Sequence, residues 1–193
     1  MTRSATRTAR LAVLALLPLA GCARTEQMTG NAMTEGQAVM QAQTNPTLST
    51  VDAYFMDQAA RSGVAEWQQG RLAGQTAARA DVRRFAAQEV QDDTGVNQKL
   101  MALAQQKRIS PPTAPSTVQA AEITTLRGLS GTAFDRQYLD GQVAMQQAAI
   151  ALFRNEAQNG TDPDVKRFAT AALPTLEHDL HMAQQLGGLA PAS

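Results

Sequence analysis

Two stretches of this chain recur at a fixed distance, and that recurrence limits the fold more than any other feature. A shift of 83 residues lays Phe55-Met56-Asp57 over Tyr138-Leu139-Asp140, and Asp81-Val82-Arg83-Arg84-Phe85-Ala86 over Asp164-Val165-Lys166-Arg167-Phe168-Ala169. One offset that holds across two separate segments describes two related units of equal length. Within each unit the apolar period is helical. At 100° per residue, Phe55, Ala59, Ser62, Gly63, Glu66 and Ala73 share one stripe of a first helix. A second helix is predicted from about Ala80 to Lys107, with Val82, Phe85, Val96, Leu100 and Leu103 on one face. A third runs from about Thr132 to Gln158, turning Phe134, Tyr138, Met145, Ala149, Leu152 and Phe153 inward. Asp162-Pro163, an N-cap followed by proline at the first helical position, opens a fourth. Gly187-Gly188 closes it, and Pro174 inside it predicts a kink near residues 170–174.

The second and third helices are separated by Arg108-Ile-Ser-Pro-Pro-Thr-Ala-Pro, where three prolines in five residues cannot continue a helix. A short helical stretch near Val118 to Leu129 follows. Two hairpins joined by a longer crossover give an all-α, ferritin-like four-helix bundle with a short extra helix in the crossover. Composition agrees. Hydrophobic residues make up 44% of the chain and aromatic residues only 4%, and much of the apolar content is alanine, which favours helices and close helix packing. The bundle domain spans residues 50–188.

The N-terminus is of another kind. Arg3, Arg7 and Arg10 precede a short apolar run, Leu11 to Leu19, in the pattern of a secretory signal peptide over residues 1–21. As a helix that run covers about 14 Å, too short for a bilayer core of roughly 30 Å. Leu19-Ala20-Gly21-Cys22 resembles the bacterial lipobox, and Cys22 is the single cysteine of the chain. The resemblance implies cleavage before Cys22 and acylation of it, an anchor worth about 0.8 kcal/mol per buried CH₂. Ala23 rather than an aspartate follows, which in lipoproteins points to the outer membrane, facing the periplasm. Residues 22–49 are polar and Thr/Gln/Asn-rich, and read as a flexible tether of roughly 29 Å reach. Removing the leader takes three of seventeen basic residues and leaves seventeen acidic ones. That balance, with no basic run beyond residue 25, gives no sign of nucleic acid as a partner, and none is expected.

The domain itself resembles a known family. Phe85-Ala86, Val90-Gln91-Asp92-Asp93, Asn97 and Leu103-Ala104 match part of the bacterial family of unknown function numbered 4142. So do Ala133 to Asp140, Ala151-Leu152-Phe153, and Asp162-Pro163 through Phe168-Ala169, Leu173-Pro174-Thr175-Leu176, Leu180 and Met182-Ala183. The resemblance covers about residues 50–186. It implies an exported ferritin-like bundle, often lipid-anchored, without an agreed activity. Members carry an aspartate-histidine pair on the second helix and a histidine on each of the third and fourth. Those histidine positions fall here on Asp93, Gln146 and Asp179, while the acidic residue of the first helix is kept as Glu66.

Acids on apolar stripes are the main chemical feature. Glu66 lies on the inner stripe of the first helix, and Glu89 and Asp93 lie near Phe85 and Leu103 on the second. Asp179 and Gln146 flank the core faces of the fourth and third. If Glu66, Glu89, Asp93 and Asp179 converge, they suit a hard or borderline divalent cation such as Mn²⁺, Fe²⁺ or Ca²⁺. The other expectation is that they bond to Ser62, Gln142 or nearby arginines, or reach out to solvent at the helix flanks. His178 and His181 fall about 200° and 140° from Leu176, on the solvent side. Trp67 sits at the edge of the inner stripe, and Met56, Met101, Met145 and Met182 read as core filler. No Ser/His/Asp set, phosphate loop or zinc motif is present, and an alanine-rich core leaves little room for a pocket of some 300 Å³.

The sequence therefore points to an envelope-anchored helical bundle with a non-catalytic binding or structural role under envelope stress. Its expected partners are the membrane, through Cys22, and an envelope protein, and no cofactor is required. The alternative is a ferritin-like metal-binding or metal-dependent redox bundle that holds iron or manganese on the core carboxylates.

Overall fold

The structure, a computed structural model, describes residues 48–188. The leader, Cys22 and the tether as far as residue 47 lie outside the described residues. Five helices follow one another: α1 (Thr50–Thr76), α2 (Ala80–Gln106), α3 (Thr117–Arg127), α4 (Gly131–Asn159) and α5 (Pro163–Gly187). Among the described residues there is no strand beyond one isolated bridge, between Ala77 and Gly131.

Local chemistry sets the helix ends. Ser49 starts α1 with a capping box: its hydroxyl accepts from the Asp52 N–H, and the Asp52 carboxylate accepts from the Ser49 N–H. Ser116 and Gln119 do the same for α3. The Asp162 carboxylate accepts from the Asp164 and Val165 N–H groups, with Pro163 at the first position of α5. α2 stops before the prolines because Arg108 turns left-handed (φ 54°), which lets the Ile109 N–H bond the Ala104 carbonyl at 3.0 Å. α5 runs unbroken through Pro174 to Gly187. Pro174 lies on the exposed side, where water can take up the carbonyl whose hydrogen bond the proline removes.

Close backbone contacts order the long helices in a ring, α1–α2–α5–α4, with α3 laid against α1 and α4. This is the four-helix bundle of two hairpins expected from the repeat. The helix bounds keep the offset: α2 begins at 80 and α5 at 163, while α1 and α4 end at 76 and 159.

Side-chain contacts keep it too. The Phe55 and Phe168 rings lie 6.1 Å apart at 60°, and their counterparts Tyr138 and Phe85 lie 6.2 Å apart at 56°. At one end of the bundle the Asp52 carboxylate accepts from the backbone N–H groups of Thr161 and Asp162 in the α4–α5 turn. At the other end Asp135, 83 residues on, accepts from Ala78 and Arg79 in the α1–α2 turn. Each hairpin's first helix thus clasps the turn of the other. Both aspartates are buried, and each satisfies two N–H groups that the turn would otherwise leave open.

The apolar core is in two parts. One gathers around Phe55, Phe153, Leu100 and Leu176, the other around Phe85, Phe134, Leu126 and Leu186. A polar layer separates them.

Candidate functional site

That layer is formed by one acid from α1 (Glu66), two from α2 (Glu89 and Asp93, one turn apart) and one from α5 (Asp179). All four are at most 6% exposed. α4 contributes Tyr138, Gln142 and Gln146, each fully buried. Helical spacing explains the set: Tyr138, Gln142 and Gln146 follow one another at four-residue steps, as do Glu89 and Asp93, so each series points to one side of its helix.

The acids lie close enough to influence one another, Glu66 beside Asp93 and Glu89 beside Asp179. The Gln146 Nε2 group donates to Glu89 Oε2 at 3.4 Å. No ion pair joins any of the four to an arginine or lysine among the described residues.

Burial is accordingly the largest influence on all four carboxyls, and it favours the protonated form. Burial and the nearby Glu89 push Glu66 up to about 8. Burial with Asp179 and Asp93 raises Glu89 to about 9. Asp93 is held well above the usual carboxylate range by burial and by Glu66. Asp179 rises to about 7 through burial and Asp92, opposed by the nearby His178. The Tyr138 hydroxyl is pushed up by burial and then by the charges of Glu89, Asp93, Glu66 and Asp179.

Hydrogen bonding at this centre is incomplete. Nine buried side-chain polar atoms of the described residues have no partner, and seven of them are here. They are one oxygen each of Glu66, Glu89, Asp93 and Gln146, the Tyr138 hydroxyl, and both ends of the Gln142 amide. Leaving a buried polar group unpaired costs about 1–3 kcal/mol. Seven such atoms in one layer mark a place kept polar at the expense of stability.

Sequence reasoning placed Asp179 and Gln146 at helix flanks; the structure buries both fully. The four acids neither reach solvent nor meet an arginine, and Ser62 accepts instead from Gln119 Nε2 at 3.3 Å. As placed, no group of three or more His, Cys, Asp and Glu among the described residues is arranged to hold a metal ion. His178 and His181 are exposed on α5 as expected, and Cys22 lies outside the described residues. Trp67 is half-buried on α1, with the Arg71 guanidinium 4.8 Å above its ring.

Sequence reasoning missed a second acid pair. Glu156, fully buried at the C-terminal end of α4, faces the Asp52 carboxylate, and burial followed by Asp52 pushes it up to about 8. Gly160 makes room for it, since a Cβ there would fall 2.0 Å from Glu156 Oε1. The 83-residue offset also places Asp52 on Asp135, a signal that could have exposed the clasp.

The comparisons agree with this architecture. The profile of the domain of unknown function DUF4142 matches residues 37–186. The chain belongs to the DUF4142 family. Among solved structures, this DUF4142 domain is similar to a DUF305 fragment from Deinococcus radiodurans at a TM-score of 0.66 and 18% identity. The match covers 75% of this chain and all of that one. A DUF305 protein from Streptomyces coelicolor matches at 0.61 and 15% identity, over 70% of this chain and 89% of that one. The third is a dodecameric thioferritin, the bacterioferritin-related protein from Bacteroides fragilis, at 0.53 and 21% identity over 73% and 87%. These likenesses concern the fold. No match was found among curated proteins.

Proposed function

We propose that this DUF4142 protein is an envelope lipoprotein, held through Cys22 at the periplasmic face of the outer membrane, whose bundle acts by binding or support and not by catalysis. The closed core carries this reading. The void beside Glu66 and Asp93 measures about 20 Å³, which admits about one water molecule and no organic substrate. Neither histidine stands in a cleft to serve as a base. No helix of the described residues is long and apolar enough to cross a membrane; what supports attachment is the resemblance of Leu19-Ala20-Gly21-Cys22 to a lipobox. Fractionation of cells tests this. The wild-type chain is expected with the membranes and Cys22→Ala in the soluble fraction; a Cys22→Ala protein that stays firmly with the membranes would overturn it.

The unpaired oxygens favour a second reading, in which the bundle binds a divalent cation on its carboxyls. The ferritin type of di-iron centre does not fit these residues, because it uses Glu-x-x-His on two helices. Here residue 92, three after Glu89, is an aspartate, and both histidines are exposed on α5. No redox step follows from such a donor set. An all-oxygen set fits manganese or calcium better. Metal analysis of the purified protein against Glu66→Ala decides: the reading expects about one divalent ion per chain, lost in the variant. Finding none in the wild type, with no change of stability on chelation, would remove it.

A further inference from the structure

The wall of the small void narrows this cation reading, on which the following rests. Its polar side is made by Ser62, Glu66, Asp93 and Asn97, and the rest is apolar. Only two carboxyls border it, so the other oxygens there belong to a hydroxyl and an amide. Glu66 Oε1 and Asp93 Oδ2 have no partner. Both carboxyls are themselves buried, Glu66 4% and Asp93 6% exposed, so each unpartnered oxygen on the wall is shut off from bulk solvent.

Asn97 has a double position. It also lines an open groove of about 620 Å³ between α1 and α2, beside Trp67 and Met101. Its amide sits in the niche above Gly63, where a Cβ would fall 2.0 Å from Asn97 Oδ1 and 2.7 Å from Nδ2. Any side chain at position 63 would therefore displace the amide. Among the described residues no hydrogen bond holds its side chain, and it borders both the groove and the void.

We propose that the void is a site for one hard divalent cation, bound by Glu66 and Asp93 with the Ser62 hydroxyl and Asn97 carbonyl, and entered from the groove past Asn97. Its volume suits a single ion or water molecule, and its donors are carboxylates, a hydroxyl and an amide oxygen, the set that hard cations take. Glu89 and Asp179 do not border the void, so neither is a ligand of this ion.

The test is Mn²⁺ titration of the purified mature chain after chelator treatment, read by electron paramagnetic resonance. One immobilised Mn²⁺ per chain is expected. Asn97→Leu, Gly63→Ala, Glu66→Gln and Asp93→Asn should each weaken binding by about ten- to a hundredfold. Gly95→Ala, whose added Cβ meets open space, should leave it unchanged, and a thermal melt of each variant verifies folding. If Mn²⁺ binds and is lost in Glu89→Gln or Asp179→Asn but kept in Asn97→Leu and Ser62→Ala, the cation reading stands and this site is wrong. If the wild type takes up no Mn²⁺, both fall and the void holds water only.

Discussion

Raising the pH from about 5 to about 9 in the presence of chelator is expected to weaken this fold by several kcal/mol. The direction follows from where the protons sit. Glu66, Glu89 and Asp179 release theirs in the folded protein near 8, 9 and 7, and Asp93 higher still, against 4.5 or 3.8 in an ordinary setting. Between those limits the folded chain binds more protons than the unfolded one, so stability falls as pH rises. It is greatest below about 4 and is fully spent once the folded-state values are passed. Each extra bound proton contributes a slope of about 1.4 kcal/mol per pH unit. Glu156, raised to about 8, adds in the same direction. Asp52 acts oppositely: the Ser49 and Thr161 hydrogen bonds hold it below the usual range, and its contribution is lost only in strong acid. Denaturant unfolding at a series of pH values checks this. Glu89→Gln, which keeps the shape and cannot ionise, should flatten the curve and exceed the wild type near pH 9. A wild-type profile that is level or rises over this interval contradicts the protonated core.

Phe55→Ala should cost about 3–5 kcal/mol. Phe55 is 1% exposed, with the Phe153 ring edge-on at 4.9 Å and Phe168 at 6.1 Å. These rings join α1, α4 and α5 across the two hairpins, so the cavity opens where the halves meet and neighbours on three helices cannot all close in. Val51→Ala, one turn earlier and 41% exposed, should stay within about 0.5 kcal/mol of wild type. Equilibrium denaturation of both variants provides the comparison. Near-equal values would mean that the two halves do not pack through this cluster.

The bundle was legible because its signals are local or periodic. Phe55 and Tyr138, or Phe85 and Phe168, occupy matched places that a single offset reveals, and Asp162-Pro163 announces a helix start by its own chemistry. The acids Glu66, Glu89 and Asp93 were legible as polar residues on apolar stripes. How deeply Asp179 and Gln146 are buried was not, since a wheel angle measures direction and not how closely a neighbouring helix approaches. Asn97 was legible only as part of the family resemblance, for a related reason. Its close approach to Gly63 of another helix is a contact that no spacing within α2 encodes. Tyr138 read as an ordinary core position, and Gln142 only as one alternative partner for the acids. Their counterparts 83 residues earlier are Ala59 and Phe55, and those of Glu66 and Asp93 are Ala149 and Leu176. The repeat therefore supplies the frame, while the polar layer is where the two halves have diverged.

Infrared spectroscopy of the chelator-treated protein near neutral pH tests the central claim most directly, because protonated and ionised carboxyls absorb at separate frequencies. The account predicts a protonated-carboxyl carbonyl band in the wild type that diminishes stepwise in Glu66→Gln, Glu89→Gln and Asp93→Asn. A spectrum with no such band, or one untouched by these three changes, would contradict it.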